Sequence, residues 1–249
     1  MPTARSSSHP LALVTGAGSG VGRATALRLL RGGWSVAASG RRVETLRETA
    51  ALVPAPQRAR LHLLPCDLAD PEAIRRLAAK AGRITGRLDA LVNAAGHNIP
   101  RRSLEVLSAE DYRAVMAANI DGVLALVQAV LPTMRRAGQG TIVNVGSEAG
   151  RQASAKSGAA YVISKFGLTG LTQTINAEER DRGIRACCVF PGDIDTPLLT
   201  KRPAAPSPEA RARMLRAEDV AECIWFALSL PTRANVEEIL VRPSRPWNG

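Results

Sequence analysis

Tyr161 and Lys165 stand four residues apart in Tyr-Val-Ile-Ser-Lys, fourteen residues after Ser147, which follows an apolar run. Positions i and i+4 of a helix share one face, so this spacing sets a phenol beside an ammonium. A phenol titrating near ~10 is a poor proton donor or acceptor at neutral pH. A cation held beside it favours the phenolate and lowers that value toward the working range. The chemistry on offer is proton transfer at an oxygen. Such pairs also arise on solvated helix faces, so the weight of this one comes from what stands upstream.

The apolar run Leu11–Thr15 leads straight into Gly16-Ala-Gly-Ser19-Gly20-Val21-Gly22, and a helical pattern begins near Arg23. Glycines between a strand and a helix allow a tight turn and close approach of backbone to a pyrophosphate, which then rests on the helix N-terminus. Nicotinamide-binding sheets commonly place an acid about twenty residues further on, against the ribose 2′-hydroxyl. Here that place holds Gly40, followed by Arg41 and Arg42. No carboxylate opposes a 2′-phosphate, and two guanidiniums are available to pair with one. NADP(H) is therefore favoured, with NAD(H) open. Two ordinary solvated arginines are the plainer alternative for positions 41 and 42.

These residues need a frame. Short apolar runs alternate with helical patterns along the chain: strands are expected at Leu11–Thr15, Ser35–Ser39, Arg60–Leu64, Ala90–Asn93, Thr141–Val145, Ala186–Phe190 and Ile239–Val241. Between them lie helix-period segments at Gly20–Arg31, Val43–Leu52, Pro71–Ile84, Ala109–Arg136, Ala159–Asp181 and Ala217–Leu230. Strands alternating with helices imply right-handed crossovers and a parallel sheet covered on both faces. Residues 11–249 read as one dinucleotide-binding catalytic domain. The Pro- and Ala-rich stretch Thr196–Pro208 reads as a surface loop that could serve as a lid.

With 249 residues, 45% of them hydrophobic and 22% charged, the chain suits one well-buried soluble domain. Aromatics make up only 3%, so the core must rest on Ala, Val, Leu and Ile. No apolar run approaches the ~18 residues of a membrane span. Residues 1–10 are polar and read as a disordered lead-in rather than a signal peptide. The expected setting is the cytoplasm, with no membrane partner. The net charge of +11 raises nucleic-acid binding as an option. The cations are scattered, however, with no basic run interleaved with aromatics, so no nucleic-acid partner is expected. Cys66, Cys187, Cys188 and Cys223 lack Cys-x-x-Cys spacing and His9, His62 and His97 do not cluster, so no metal site is expected.

Six motifs in order resemble the short-chain dehydrogenase/reductase family: Thr15–Gly22, Asn93-Ala94-Ala-Gly96, Asn119, Ser147, Tyr161-x-x-x-Lys165 and Pro191-Gly192-Asp193-Ile194-Asp-Thr196. The resemblance runs from about Leu11 to Val241. It implies an α/β, Rossmann-type doubly wound seven-stranded parallel sheet with helices on both faces. It also implies a catalytic set of Asn119, Ser147, Tyr161 and Lys165. In that set Ser147 holds the substrate carbonyl, Tyr161 moves the proton, Lys165 binds the nicotinamide ribose and lowers the tyrosine pKa, and Asn119 holds a relay water. The cofactor contacts it implies are Gly16, Ser19, Gly20, Val21 and Gly22 at the turn, Asp67 and Leu68 at the adenine, and Asn93, Ala94 and Gly96 along the cofactor. Pro191, Gly192, Ile194 and Thr196 would meet the nicotinamide end, with Tyr161 and Lys165. Lysine is rare here, with only Lys80, Lys156, Lys165 and Lys201, which gives its presence at this position weight.

The substrate pocket is expected from His97 and Asn98, Ser147, Glu148 to Gly150 (Glu148 and Ala149 foremost), and Asp193 through Leu199 (Asp193 and Leu198 foremost). The expected substrate is a small or medium ketone, aldehyde or alcohol. The fourteen-residue gap from Ser147 to Tyr161 is one longer than the family's commonest, so residues 150–158 are expected to bulge beside the pocket. The last strand lacks the family's usual Asp-Gly-Gly. The resemblance further implies a homotetramer or dimer built through the long helices ending near Arg136 and Asp181. A cofactor-sensing protein without turnover is the alternative of another class, and the complete catalytic set argues against it.

Overall fold

The computed structural model describes residues 9–245. Most of the expected lead-in therefore lies outside the described residues. Seven strands follow the expected order along the chain: β1 Leu11–Val14, β2 Ser35–Ala38, β3 Leu61–Leu63, β4 Ala90–Asn93, β5 Gly140–Val145, β6 Ile184–Pro191 and β7 Glu238–Val241. All pairings are parallel, and the spatial order is β3-β2-β1-β4-β5-β6-β7. This is the doubly wound, Rossmann-type sheet that the alternation of patterns predicts. Successive residues of a strand point to opposite faces. On β1, Ala12 and Val14 join one apolar cluster while Leu11 and Leu13 join the other. That is why the strands read as unbroken apolar runs rather than as alternating ones.

The helices are α1 Gly20–Arg31, α2 Val43–Ala51, α3 Ala55–Arg58, α4 Pro71–Thr85, α5 Ala109–Met116, α6 Gly122–Ala137, α7 Ala159–Glu179, α8 Pro208–Ala212 and α9 Ala217–Ser229. The core beside α1 and α9 includes Leu29, Leu30, Val220 and Ile224, and the opposite core holds Ile74 of α4, Leu126 and Val130 of α6 and Leu168 of α7. Asp70 starts α4 by accepting from the backbone N–H groups of Glu72 and Ala73, and Gly86 ends it in the left-handed region at φ 77°.

Four details differ from the expected elements. The helix expected over Ala109–Arg136 is divided by a single π-helical turn, Ala117–Asp121. Counted together, Ala109–Ala137 is 29 residues long and holds an 18-residue stretch of mean hydropathy 1.8, long and apolar enough to cross a membrane by those measures alone. This corrects the reading that no run approaches that length. In the fold its apolar stripe, including Val123, Leu126, Val127 and Met134, is buried in the core under the sheet. The Thr196–Pro208 stretch is not featureless, because Pro197–Lys201 forms a 3-10 turn. The short helices α3 and α8 each begin beside a proline, whose fixed φ suits a first helical turn but gives no long apolar period to detect.

Candidate active site

The strand order reverses beside β1, which pairs with β2 on one side and β4 on the other. A crevice outside the carboxyl ends of the strands is expected at such a switch point. A cleft of about 520 Å³ lies there. It is lined by the glycine turn after β1, by Gly40–Arg42 after β2, by Ala94–Asn98 after β4, by Gly146 and Ser147 after β5, and by Pro191–Ile194 after β6.

The glycines are there for backbone reasons. Gly16 has φ 66° and Gly20 has φ 48°, conformations that side chains disfavour. A Cβ on Gly16 would lie 2.8 Å from the Ala95 nitrogen, and one on Gly22 would lie 2.3 Å from the Gly16 carbonyl oxygen. Gly22 thus serves packing of helix against turn and does not itself line the cleft. Ser19 precedes α1 in extended conformation and makes no side-chain cap, so the leading amides of that helix keep their donors for an anion. Arg23 braces the turn by donating to the Gly18 carbonyl and, at 3.0 Å, to Thr49 Oγ1. Arg41 and Arg42 are exposed at the cleft rim. The donor-rich turn, the wall free of side chains and the two rim guanidiniums fit a phosphorylated dinucleotide.

Asp67 and Leu68 line the cleft beyond β3, where Asp67 accepts from the Ala69 N–H at 3.0 Å. Asn93 does not reach the cleft. It is buried and donates to Asn144 Oδ1 at 2.9 Å, and Asn144 donates to Thr172 at the same distance, so Asn93 ties β4 through β5 to α7. Ala94 lines the cleft, its N–H held by Thr15 Oγ1 at 3.1 Å.

Asn119 sits fully buried in the π turn. Its Oδ1 accepts from the His97 N–H at 2.7 Å, and its Nδ2 donates to the His97 carbonyl at 2.9 Å and to Ser164 Oγ at 3.0 Å. Both amide hydrogens are thereby used within the protein. The side chain braces the loop of His97 and Asn98 rather than offering donors to a water.

Ser147 follows β5 and caps the 3-10 turn Glu148–Gly150, accepting from the Ala149 N–H at 3.2 Å. Ser147 also lies near enough to Tyr161 to act on its phenol, lowering its pKa. Lys165 is buried one helical turn beyond Tyr161 and donates from Nζ to the Val145 carbonyl at 2.8 Å. Its Nζ lies 5.5 Å from the centroid of the Tyr161 ring. Ser147, Tyr161 and Lys165 therefore meet on one wall.

The electrostatics correct one expectation. Burial raises the Tyr161 pKa, and Ser147, Arg102 and Arg202 offset this only in part. Burial also lowers Lys165 to about 8. In the protein alone, desolvation outweighs Ser147 and the two arginines, and Tyr161 is held as a neutral phenol rather than poised as phenolate.

The expected substrate residues divide. His97, Asn98, Asp193 and Leu198 line the cleft with Ser147. Glu148 and Ala149 do not: the 3-10 turn carries Glu148 outward, where it pairs with Arg242 at 2.5 Å, and Ala149 is buried. Asp193 accepts from Lys156 Nζ at 3.0 Å and Arg202 Nη2 at 2.6 Å. Burial pushes its carboxyl up, but these two cations hold it below the usual range. The long gap before Tyr161 does fold beside the cleft, contributing Lys156 and Ser157. Sequence reasoning missed Lys156, Arg102 and Arg202 as lining residues. The extra residue before Tyr161 was a usable signal for Lys156, the expected loop Thr196–Pro208 was one for Arg202, and Arg102 had none.

A model of the short chain dehydrogenase family matches residues 10–207. Sulfoacetaldehyde reductase 2 of Chromohalobacter salexigens is 33% identical over 241 residues, covering 94% of this chain and 94% of that one. Among solved structures, levodione reductase superposes with a TM-score of 0.86 at 27% identity, covering 95% of this chain and 97% of that one. An alcohol dehydrogenase from Thermococcus sibiricus, complexed with 5-hydroxy-NADP, gives 0.83 at 28% identity, covering 96% and 99%. The chain belongs to the short-chain dehydrogenase/reductase family, NAD(P)-binding oxidoreductases that act on alcohol and carbonyl groups.

Proposed function

We propose that this protein interconverts a small or medium ketone or aldehyde and its alcohol with NADP(H), working as a reductase with Tyr161 as its general acid. The observation that carries the reading is the shared cleft wall of Ser147, Tyr161 and Lys165, with burial holding the phenol neutral beside Ser147. When bound, the reduced nicotinamide supplies a hydride to the carbonyl carbon. Negative charge then grows on the carbonyl oxygen, where the hydroxyls of Ser147 and Tyr161 donate. Those hydrogen bonds strengthen as charge develops, which favours the transition state over the ground state. Tyr161 gives up its proton to complete the alcohol, and the Lys165 ammonium stabilises the phenolate left behind. Asn119 holds the loop of His97 and Asn98 that faces this wall.

Arg41 and Arg42, with Gly40 in place of an acid, support NADP(H) over NAD(H). The solved relative's complex with an NADP derivative agrees with this choice. The relative named for sulfoacetaldehyde supports an aldehyde substrate and the reductive direction. The same reading takes residues 11–249 as one catalytic unit in the cytoplasm, a setting that suits four free cysteines. It includes a homotetramer or dimer joined through α6 and α7, whose outer faces expose Leu124, Ile163 and Phe166.

A screen of ketones, aldehydes and alcohols with both nicotinamides, followed at the absorbance of the reduced cofactor, tests the reading. Tyr161→Phe should lower turnover by about 10²–10⁴-fold while NADPH still binds. Undiminished turnover in that variant would remove Tyr161 from its role.

A further inference from the structure

Arg102 is unusual among the cations of this chain. It is 7% exposed, lines the cleft, and pairs with no carboxylate among the described residues. It donates from Nη1 to the Lys156 carbonyl at 3.1 Å and from Nη2 to the Lys201 carbonyl. Its Nε–H is buried without any acceptor. Bracing two loops needs donors, but it does not need a charge. A buried guanidinium without a counter-charge is costly, so its retention calls for an anion that the chain does not itself supply.

The neighbourhood does not supply one. Lys156 and Arg202 share the single carboxylate of Asp193, leaving three cations against one anion on this wall. Arg102 and Arg202 both act electrostatically on Tyr161, which places the excess charge at the reacting end of the cleft. The rim arginines 41 and 42 sit with the glycine turn and serve the dinucleotide instead.

Resting on the carbonyl-reductase reading, we infer that Arg102, helped by Lys156 and Arg202, seats an anionic oxygen group of the substrate, so that the substrate is a short carbonyl compound with a carboxylate-like tail. Guanidinium and carboxylate match in shape as well as in charge. The tail would set the carbonyl against Ser147 and Tyr161, and the positive wall would draw anionic substrates into the cleft.

Steady-state reduction of 4-oxobutanoate and of butanal, at saturating NADPH, tests this with two aldehydes of one chain length. The expected result is a kcat/KM about tenfold to a hundredfold higher for the anion, as one charge-assisted hydrogen-bond pair gives. Arg102→Gln should collapse that ratio toward one, chiefly through KM, and Arg102→Lys should restore part of it. Succinate binding in the presence of NADPH, followed by calorimetry, reads the seat without turnover and should weaken about tenfold in Arg102→Gln. An equal or greater kcat/KM for butanal in the unaltered protein overturns the inference while leaving the reductase reading intact. Failure of both aldehydes to react, with succinate bound by Arg102, would instead strike the reductase reading. Absence of succinate binding to the unaltered protein would overturn the seat whatever the turnover.

Discussion

The Lys165 ammonium donates at 2.8 Å to the carbonyl of Val145, the last residue of β5 and two positions before Ser147. Strand β5 and the helix carrying Tyr161 are thereby fixed to one another at the place where the catalytic hydroxyls meet. A charge buried for this purpose carries a cost, and that cost has a pH dependence.

Lys165→Met should stabilise the protein without its cofactor at pH 7. The fall of the lysine pKa from 10.5 to about 8 corresponds to about 3 kcal/mol of desolvation. Losing the bond to Val145 returns about 1 kcal/mol of that. The unfolded chain keeps the lysine proton up to 10.5, whereas the folded chain loses it near 8, so within this window folding releases protons and stability rises with pH. Thermal melts should show the variant about 5 °C more stable at pH 7, the gap narrowing as pH rises through that window. A variant less stable than its parent at pH 7 would contradict the account. Turnover in the variant should be severely reduced.

The same lysine sets a limb in the activity profile. Tyr161, raised by burial, stays protonated across the neutral range and remains ready to donate. Lys165 loses its charge above about 8, and with it the stabilisation of the departing phenolate. Measured with NADPH as the varied substrate, kcat/KM for reduction should be level at neutral pH and fall above about 8, since this parameter reports the free enzyme. In Lys165→Arg the falling limb should move well to the alkaline side. A profile whose limb is indifferent to that substitution would assign the titration elsewhere.

Much of this protein is legible in its sequence because the relevant signals are local. Each strand is a short apolar run bounded by turn residues, and the glycine turn and the Tyr161/Lys165 pair each occupy a few consecutive positions. What escapes is set by distance or by geometry without a composition. Arg102 meets Lys156 across 54 positions and Lys201 across 99, and no local pattern announces either contact. The π turn at Ala117–Asp121 is built from residues an ordinary helix would accept, apart from Asn119 itself. Glu148 follows Ser147 directly in the chain, yet a single 3-10 turn sends it to Arg242 instead of the cleft. The proximity of Tyr161 and Lys165 was readable, but the sign of the tyrosine shift was not, because burial is a property of the whole fold.

Arg41→Ala should lower the preference for NADPH over NADH. Arg41 is exposed at the rim of the cleft beside Gly40, a position that carries no acid. A lost charge-assisted contact to a 2′-phosphate is expected to raise the NADPH KM about tenfold or more. The NADH KM, lacking that phosphate, should change little. Equal effects on the two cofactors would show that Arg41 is only a solvated side chain, and the same comparison for Arg42 would find which guanidinium carries the contact.

Asn119→Ala removes three hydrogen bonds at once, to the His97 N–H, the His97 carbonyl and Ser164 Oγ, all at a fully buried position. The alanine leaves the His97 amide and carbonyl without partners, a loss of about 2–4 kcal/mol. Because His97 and Asn98 line the cleft, loosening them should also raise the KM for the carbonyl substrate. Asn119→Asp keeps the acceptor for the His97 N–H but turns both donors into an acceptor that faces the His97 carbonyl, so it should be no better than alanine. Melts and steady-state kinetics on the two variants decide the matter. A melting temperature within about 1 °C of the parent in Asn119→Ala would show that the His97 loop is held by other contacts.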